Sequence, residues 1–107
     1  MLMNNIVSKL TKRITIQYLA DDHSWCDKCE IFANINAIAD MKYAGIEIFN
    51  SMQLITNDPY LFIIRYIEGL NSQMRILYGD RLFNIKRIVN PYEKNHILKI
   101  IAQEELV

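Results

Sequence analysis

Residues 60–67 read Tyr-Leu-Phe-Ile-Ile-Arg-Tyr-Ile and contain the longest apolar run of the 107-residue chain, Leu61–Ile64. Apolar side chains occupy both alternating faces of this stretch, and only Arg65 interrupts them. A short apolar run that is rich in β-branched and aromatic residues is typical of a buried strand. Turn-forming residues flank it at Thr56–Pro59 and Glu68–Ser72. The sequence therefore predicts its strongest strand at this position.

A two-residue period of apolar side chains predicts more strands elsewhere in the chain. Five are predicted, over residues 13–19, 25–38, 74–78, 81–89 and 96–102. Within residues 25–38, the isoleucines Ile31, Ile35 and Ile38 also fit helical spacing, so a helix is the alternative reading of that segment. The alternation of small apolar and polar residues favours the strand.

Short turns join the predicted strands of the C-terminal half. Gly79-Asp80 connects two strands into a hairpin, and Asn90–Asn95 has the composition of a second turn. Four predicted strands follow Pro59 with short connections between them. The sequence therefore predicts a meander, in which neighbours along the chain are neighbours in the sheet.

Residues 40–54 have a different pattern from the predicted strands. Apolar side chains recur at roughly helical spacing there, with Gly45 inside the segment, which predicts a short amphipathic helix or a long loop. Six strands with one such insert predict an all-β fold, a small antiparallel six-stranded β-barrel, since closing the sheet removes its edges. We expect one domain over 1–107, with 1–11 as a flexible N-terminal extension.

Composition limits the function classes. Twelve Lys and Arg balance twelve Asp and Glu, so the formal net charge is zero, which disfavours a general nucleic-acid coat. No segment has the length of a membrane span, and the N-terminus lacks the pattern of a signal peptide. Two closely spaced cysteines do not make a disulfide framework, so synthesis in the cytosol is expected.

The motif Trp25-Cys26-Asp27-Lys28-Cys29 suggests an enzyme as the alternative function. A Trp-Cys-x-x-Cys sequence is the signature of thioredoxin-like oxidoreductases, whose first cysteine needs a helix N-terminus to lower its pKa. Here Cys29 is followed by an alternating segment, and Asp27 places a carboxylate beside the sulfurs. These features favour structural cysteines, one buried on a strand face and one near a turn.

Other candidate sites are weaker. His23 joins the two cysteines as a third possible zinc ligand, but the nearest fourth is the distant His96, so no metal is predicted. No catalytic residue or phosphate-binding loop is predicted either. A basic cluster on the predicted hairpin, with aromatic residues between its members, suggests a nucleic-acid face, but the favoured interpretation is that these are the solvent-exposed positions of a two-stranded ribbon. Its members are Arg75, Arg81, Lys86 and Arg87.

From the second predicted strand onward, short motifs occur in a particular order. They are Trp25 with Ile31-Phe32-Ala33-Asn34-Ile35, Ala44-Gly45-Ile46-Glu47, Ile64-Arg65-Tyr66, Gln73-Met74-Arg75-Ile76, the run Tyr78–Ile85, Val89-Asn90-Pro91, Ile97-Leu98-Lys99-Ile100 and Glu104-Glu105. In this order and spacing the chain resembles the head–tail joining proteins of tailed bacteriophages, also called head-completion or stopper proteins. The Cys-x-x-Cys motif is not part of that pattern.

The resemblance implies a structural β-barrel protein without a cofactor. It implies a ring, dodecameric in the particle, beneath the portal and its adaptor (connector) protein, with a docking surface for a tail-completion or tail protein. Packaged DNA would be held sterically rather than bound specifically, and no membrane would be involved. The implied location is the head–tail interface of the virion, after assembly in the cytoplasm of the bacterial host.

The resemblance also places the insert at the channel or against neighbouring subunits. Its apolar side chains would then pack on the barrel or on a neighbour, and the alternative is that they only cap the barrel core. The candidate interface or channel residues are Tyr43, Ile46, Glu47, Phe49, Met52, Asn57 and Asp58.

Overall fold

Six strands form the fold, which we describe from a computed structural model covering residues 9–38 and 59–105. The strands are β1 (Lys12–Leu19), β2 (Trp25–Ala37), β3 (Pro59–Arg65), β4 (Arg75–Tyr78), β5 (Arg81–Val89) and β6 (Ile97–Glu104), with one 3-10 turn at Pro91–Glu93. The part of the chain described contains no α-helix. The all-β prediction is confirmed, and residues 25–37 form a strand rather than a helix. The predicted helix or loop over 40–54 and residues 1–8 of the predicted extension lie outside the described residues.

The strands close into an antiparallel barrel in the order β1-β2-β3-β6-β5-β4. The predicted meander is wrong at one connection, because β3 pairs with β6, from Pro59↔Gln103 to Arg65↔Ile97, and not with β4. In the closed order β3 and β4 lie on opposite sides of the barrel, so residues 66–74 must cross its end. Their length exceeds that of a tight hairpin turn, which spans about 2–5 residues.

Inward-facing side chains of all six strands fill the barrel. Phe83 lies at the centre of an aromatic group, with its ring centroid 4.9 Å from that of Phe62 and 5.2 Å from that of Tyr60, both edge-to-face. The crossing segment adds half-buried apolar side chains to the same core, which closes this end of the barrel. The buried residues of this interior cluster are Ile14, Ile16, Ala33, Phe62, Ile64, Ile76, Phe83, Ile85, Leu98, Ile100 and Ala102.

Two β-bulges determine which side chains face the core. In β5, Ile85 pairs with Ala102 and Arg87 pairs with Ile101, so the register shifts at Lys86. The extra residue restores the inward orientation at Ile88, which packs against the core although it lies three positions after Ile85. The second bulge is in β2, between the residues that pair with Ile16 and Gln17 of β1.

The strand ends differ from the predicted ones by a few residues. Pro59, predicted in a loop, begins β3, a position that a residue without an N–H group can occupy. The same strand ends at Arg65, before the predicted Ile67. The last strand runs to Glu104 instead of ending at Ala102.

Candidate functional site

The two ends of the barrel differ in which connections they carry. At one end, which we call the insert end, β2 ends at Ala37 and β3 begins at Pro59, and the turn at Gly79-Asp80 lies there too. The other end, the loop end, carries the connections 20–24, 66–74 and 90–96. All seven candidate interface residues, Tyr43, Ile46, Glu47, Phe49, Met52, Asn57 and Asp58, lie outside the described residues, and their role stays a prediction.

An ion pair occupies the barrel interior at the insert end. Arg81 donates from Nε and Nη2 to the two carboxylate oxygens of Glu104 at 2.8 and 2.9 Å. The guanidinium carbon lies 5.2 Å from the ring centroid of Tyr60 and 4.9 Å from that of Phe83. Bidentate geometry and two aromatic rings fix the direction of both charges.

The ion pair changes the ionisation of both side chains. Hydrogen bonds from Arg81 are the main cause that lowers the pKa of Glu104 below its usual 4.5. The same hydrogen bonds raise the pKa of Arg81 above its usual range. Glu104 therefore stays a carboxylate at neutral pH, and the charges of the pair cancel where the chain enters and leaves the barrel.

A second polar network lies on the outside of the barrel near the loop end. Gln17 is 9% exposed and pairs in register with Asp27 on β2 and Arg75 on β4. Its amide donates to Asp27 Oδ1 at 2.7 Å and accepts from Arg75 Nε at 2.8 Å. The Arg75 guanidinium also stacks on Trp25, 4.0 Å from the ring centroid. The network satisfies a buried amide and braces three strands.

The predicted basic cluster is not assembled into one surface. Arg75 is held by the outer network and Arg81 by Glu104 inside the barrel mouth. Only Lys86 and Arg87, beside the bulge of β5, are exposed. Lys86 and Arg87 therefore occupy solvent-exposed positions of the strand, which was the other explanation for the basic cluster.

The cysteines are structural residues of β2. Cys29 packs against the core, and Cys26 lies next to the 20–24 turn, where it pairs with Tyr18. Burial raises the pKa of the Cys29 thiol, and the nearby Lys28 offsets only part of that effect. A thioredoxin-like centre needs its first cysteine at a helix N-terminus, whereas Cys26 lies in a β-strand, so the oxidoreductase alternative is wrong.

The candidate zinc ligands are also not brought together. Across residues 9–38 and 59–105, no group of three His, Cys, Asp or Glu side chains is placed to hold a metal ion. The same ranges contain no helix that is long and apolar enough to cross a membrane.

Sequence reasoning missed two features. The sequence patterns give Glu104 only as part of the Glu104-Glu105 motif and Arg81 only as part of the basic cluster, and they do not pair the two. Counting back two residues from Glu104 to the inward-facing Ala102 places Glu104 inside the barrel. Tyr92 belongs to the predicted turn Asn90–Asn95, and it is the most exposed large hydrophobic side chain of the described part. No residue pattern in the turn signals that exposure.

The chain folds as a small, closed antiparallel β-barrel. Arg81 and Glu104 form an ion pair at the mouth of this barrel, so their charges cancel there. A family model described as phage head completion protein matches residues 6–105. The chain therefore belongs to the phage head completion protein family, and it is a structural protein of a virion rather than an enzyme.

A solved structure supports the same fold. A chain from the virion of a native gene transfer agent particle is similar, with a TM-score of 0.62 and 19% sequence identity. The similarity covers 92% of this chain and 96% of that chain. No curated protein sequence matches the chain.

Proposed function

We propose that this protein closes the head of a tailed phage or prophage particle. Copies of the chain assemble as a ring, dodecameric in the particle, beneath the portal and its adaptor (connector) protein. The ring retains packaged DNA and offers the docking surface for a tail-completion or tail protein. The chain acts as one domain at the head–tail interface, after assembly in the host cytoplasm. The observation that carries the proposal is the family match over residues 6–105.

The barrel topology supports a role for the insert in this ring. Residues 39–58 connect β2 to β3, whose end and beginning lie at the same end of the barrel, so the insert is joined on both sides to strands of the closed sheet. A closed sheet has no free edge for strand pairing between subunits, so contacts must use loops and outward-facing side chains. We therefore place Tyr43, Ile46, Glu47, Phe49, Met52, Asn57 and Asp58 at the ring interface or the channel.

The charge distribution supports retention by steric obstruction. The chain has a net charge of zero, and two of the four hairpin cations are bound to other side chains of the barrel. Tight binding to a phosphate backbone needs an excess of exposed cations on one face. A ring that blocks the channel does not need that affinity, and many weak identical contacts keep it in place together.

The direct test is a head-completion assay. DNA-filled heads are prepared from a phage mutant that lacks this chain, and purified protein is added back. We expect added protein to protect the packaged DNA from nuclease and to restore tail attachment and infectivity. A double variant, Phe49→Ala with Met52→Ala, is expected to lower both readouts if the insert lies at the interface or channel.

A matched double variant on the outside of the barrel, Lys86→Ala with Arg87→Ala, is the control and is expected to act like the wild type. Heads that retain DNA and accept tails without the chain would contradict the proposed function. Equal activity of the insert variant and the control would contradict only the assignment of the insert residues.

A further inference from the structure

The connection between β5 and β6 presents an aromatic side chain to solvent. Tyr92 is 90% exposed at the tip of residues 90–95, which we call the tyrosine knob. Lys94 places its ammonium 5.7 Å from the ring centroid of Tyr92. A large aromatic side chain exposed to this degree gains much apolar burial when a partner covers it.

Hydrogen bonds within the tyrosine knob hold its shape. Asn90 and Asn95 are joined twice, from Asn90 Nδ2 to Asn95 Oδ1 at 2.7 Å and from the Asn95 amide to Asn90 Oδ1 at 3.2 Å. The amide of Glu93 also donates to the Asn90 carbonyl at 2.9 Å. A tip that is fixed before binding loses less conformational entropy when it docks.

The backbone of the tyrosine knob is strained. Tyr92, Glu93 and Asn95 have positive φ angles of 56°, 53° and 57°. Residues other than glycine and asparagine rarely adopt this backbone conformation, so the strain lies at Tyr92 and Glu93. Backbone strain of this kind is concentrated at binding sites. The hydrogen bonds between Asn90 and Asn95 hold the loop in this conformation, in which the Tyr92 side chain is exposed.

A groove of about 760 Å³ lies at the same end of the barrel. Tyr18 and Leu19 line it at 40% and 48% exposure, together with residues 71–74. The groove also contains Lys28, whose ammonium lies so close to Gly69 that a Cβ there would be 3.3 Å from it. We call this the hairpin groove, because Tyr18, Leu19 and Lys28 belong to the hairpin formed by β1 and β2. The groove combines apolar side chains with one cation.

The tyrosine knob and the hairpin groove lie on opposite sides of the loop end. In the barrel order β1-β2-β3-β6-β5-β4, the β5–β6 connection is directly across the ring of strands from the β1–β2 connection. A knob and a recess on opposite sides of one molecule cannot meet within that molecule. They fit a heterologous contact, in which each copy uses one surface on one neighbour and the other surface on the next.

Complementary single charges favour a second copy of this chain as the occupant of the groove. The knob carries one carboxylate, Glu93, and one ammonium, Lys94, which lies over the Tyr92 ring; the groove carries the ammonium of Lys28, so Glu93 is the knob charge that can pair with it. Neither side chain forms an ion pair with another described residue. Three of the four exposed large apolar residues of the described part, Tyr18, Leu19 and Tyr92, also belong to these two surfaces.

We propose that the tyrosine knob of one copy docks in the hairpin groove of the next, with the Tyr92 ring against Leu19 and Tyr18, and Glu93 beside Lys28. This proposal rests on the ring of the proposed function and assigns its subunit contact to the loop end. The contact leaves the insert end free for the channel. Because the knob and groove are distinct surfaces, repetition of the contact produces a closed ring or an open filament, and not a two-fold dimer.

The test is sedimentation equilibrium of the purified full chain from micromolar to millimolar concentration. We expect Tyr92→Asn, which removes the ring but tolerates a positive φ, to raise the dissociation constant of self-association about tenfold or more. We expect Lys28→Glu and Glu93→Lys each to raise it about tenfold, and the double reversal to return it to within about threefold of the wild type. Lys86→Glu, the same charge change on the outer face of β5, is expected to leave it unchanged.

A wild-type chain that stays monomeric at millimolar concentration would overturn the proposal. Self-association that is unaffected by Tyr92→Asn, or single charge reversals that are not compensated in the double variant, would overturn it as well. The head-completion assay separates these failures from the function. If wild-type protein restores DNA retention while the knob variants self-associate normally, only this subunit contact is wrong.

Discussion

Arg81 and Glu104 face the barrel interior, yet their side chains keep 36% and 22% of their surface exposed. Water therefore weakens the attraction between their charges, and their stabilising effect comes mainly from the bidentate geometry. The aromatic rings of Tyr60 and Phe83 hold the guanidinium in place. The ion pair therefore contributes little to the free energy of unfolding. Its main effect is to fix the end of β6 against β5.

Replacement of Glu104 by Gln is expected to lower the free energy of unfolding by about 0.5–1 kcal/mol at pH 7. Since Arg81 lowers the pKa of Glu104 in the folded state, the carboxylate stabilises the fold above its unfolded pKa. That contribution is lost as the pH falls through the folded value. The difference between wild type and variant is therefore expected to stay constant at neutral pH and to shrink below the usual pKa of 4.5.

Urea unfolding followed by circular dichroism at a series of pH values measures this difference. Glu105→Gln, one residue further along and exposed, is the matched control and is expected to differ little from the wild type at any pH. A Glu104→Gln effect that grows as the pH falls would contradict the direction of the pKa change.

Single residues also show where sequence reasoning reaches its limit. Two-residue alternation puts Ile14, Ile16 and Tyr18 on one face of β1, where the two isoleucines are buried and Tyr18, near the end of the strand, is exposed. Gln17 is buried on the opposite face because Asp27 and Arg75 enclose it. That burial depends on which strands flank β1, and the sequence of β1 alone does not contain this information.

At the scale of the strand, bulges change the meaning of a residue's position. Regular alternation from Ile85 would turn Arg87 inward and Ile88 outward. The register shift at Lys86 reverses this, so Ile88 packs against the core and Arg87 faces solvent. The apolar residues of 81–89 predicted a strand correctly, but their irregular spacing becomes intelligible only with the bulge.

A pair of truncations one residue apart tests this arrangement. Ile88→Ala is expected to lower the free energy of unfolding by about 1–2 kcal/mol, because it removes half-buried methyl groups from the core. Arg87→Ala is expected to change it by less than about 0.5 kcal/mol, since the side chain is exposed. Chemical denaturation of both variants measures the two values, and a larger loss for Arg87→Ala would show that the bulge is misplaced.

The order of the strands was harder to predict than their existence. Local alternation and turn residues identify each strand, because those signals lie within a few neighbouring positions. The pairing of β3 with β6 depends instead on residues 66–74 crossing the barrel end, where their apolar side chains join the core. Glu68–Ser72 has the composition of a short turn, so nothing local distinguishes a crossing segment from a hairpin.

At the scale of the whole molecule, the numbers of charged residues set the net charge to zero, and their arrangement decides which cations of the hairpin are exposed. Arg81 is matched by Glu104 inside the barrel, and Arg75 is held by Gln17 and Trp25 on its outer face.

The family resemblance carried the functional prediction, since the barrel by itself is compatible with many functions. The candidate insert residues lie in 39–58, so their placement still depends on that resemblance.

A neutral barrel that obstructs DNA sterically is expected to bind free duplex DNA weakly. Non-specific DNA-binding proteins reach dissociation constants of about 10⁻⁴–10⁻⁶ M at physiological salt by neutralising several phosphates. Here the net charge is zero and only two of the four hairpin cations, Lys86 and Arg87, are exposed, so the affinity for a fluorescent duplex should be weaker than this range and depend little on salt. Fluorescence anisotropy across a series of salt concentrations measures both quantities. Micromolar binding that falls steeply with salt, and that Lys86→Ala with Arg87→Ala abolishes, would replace steric retention by direct DNA binding.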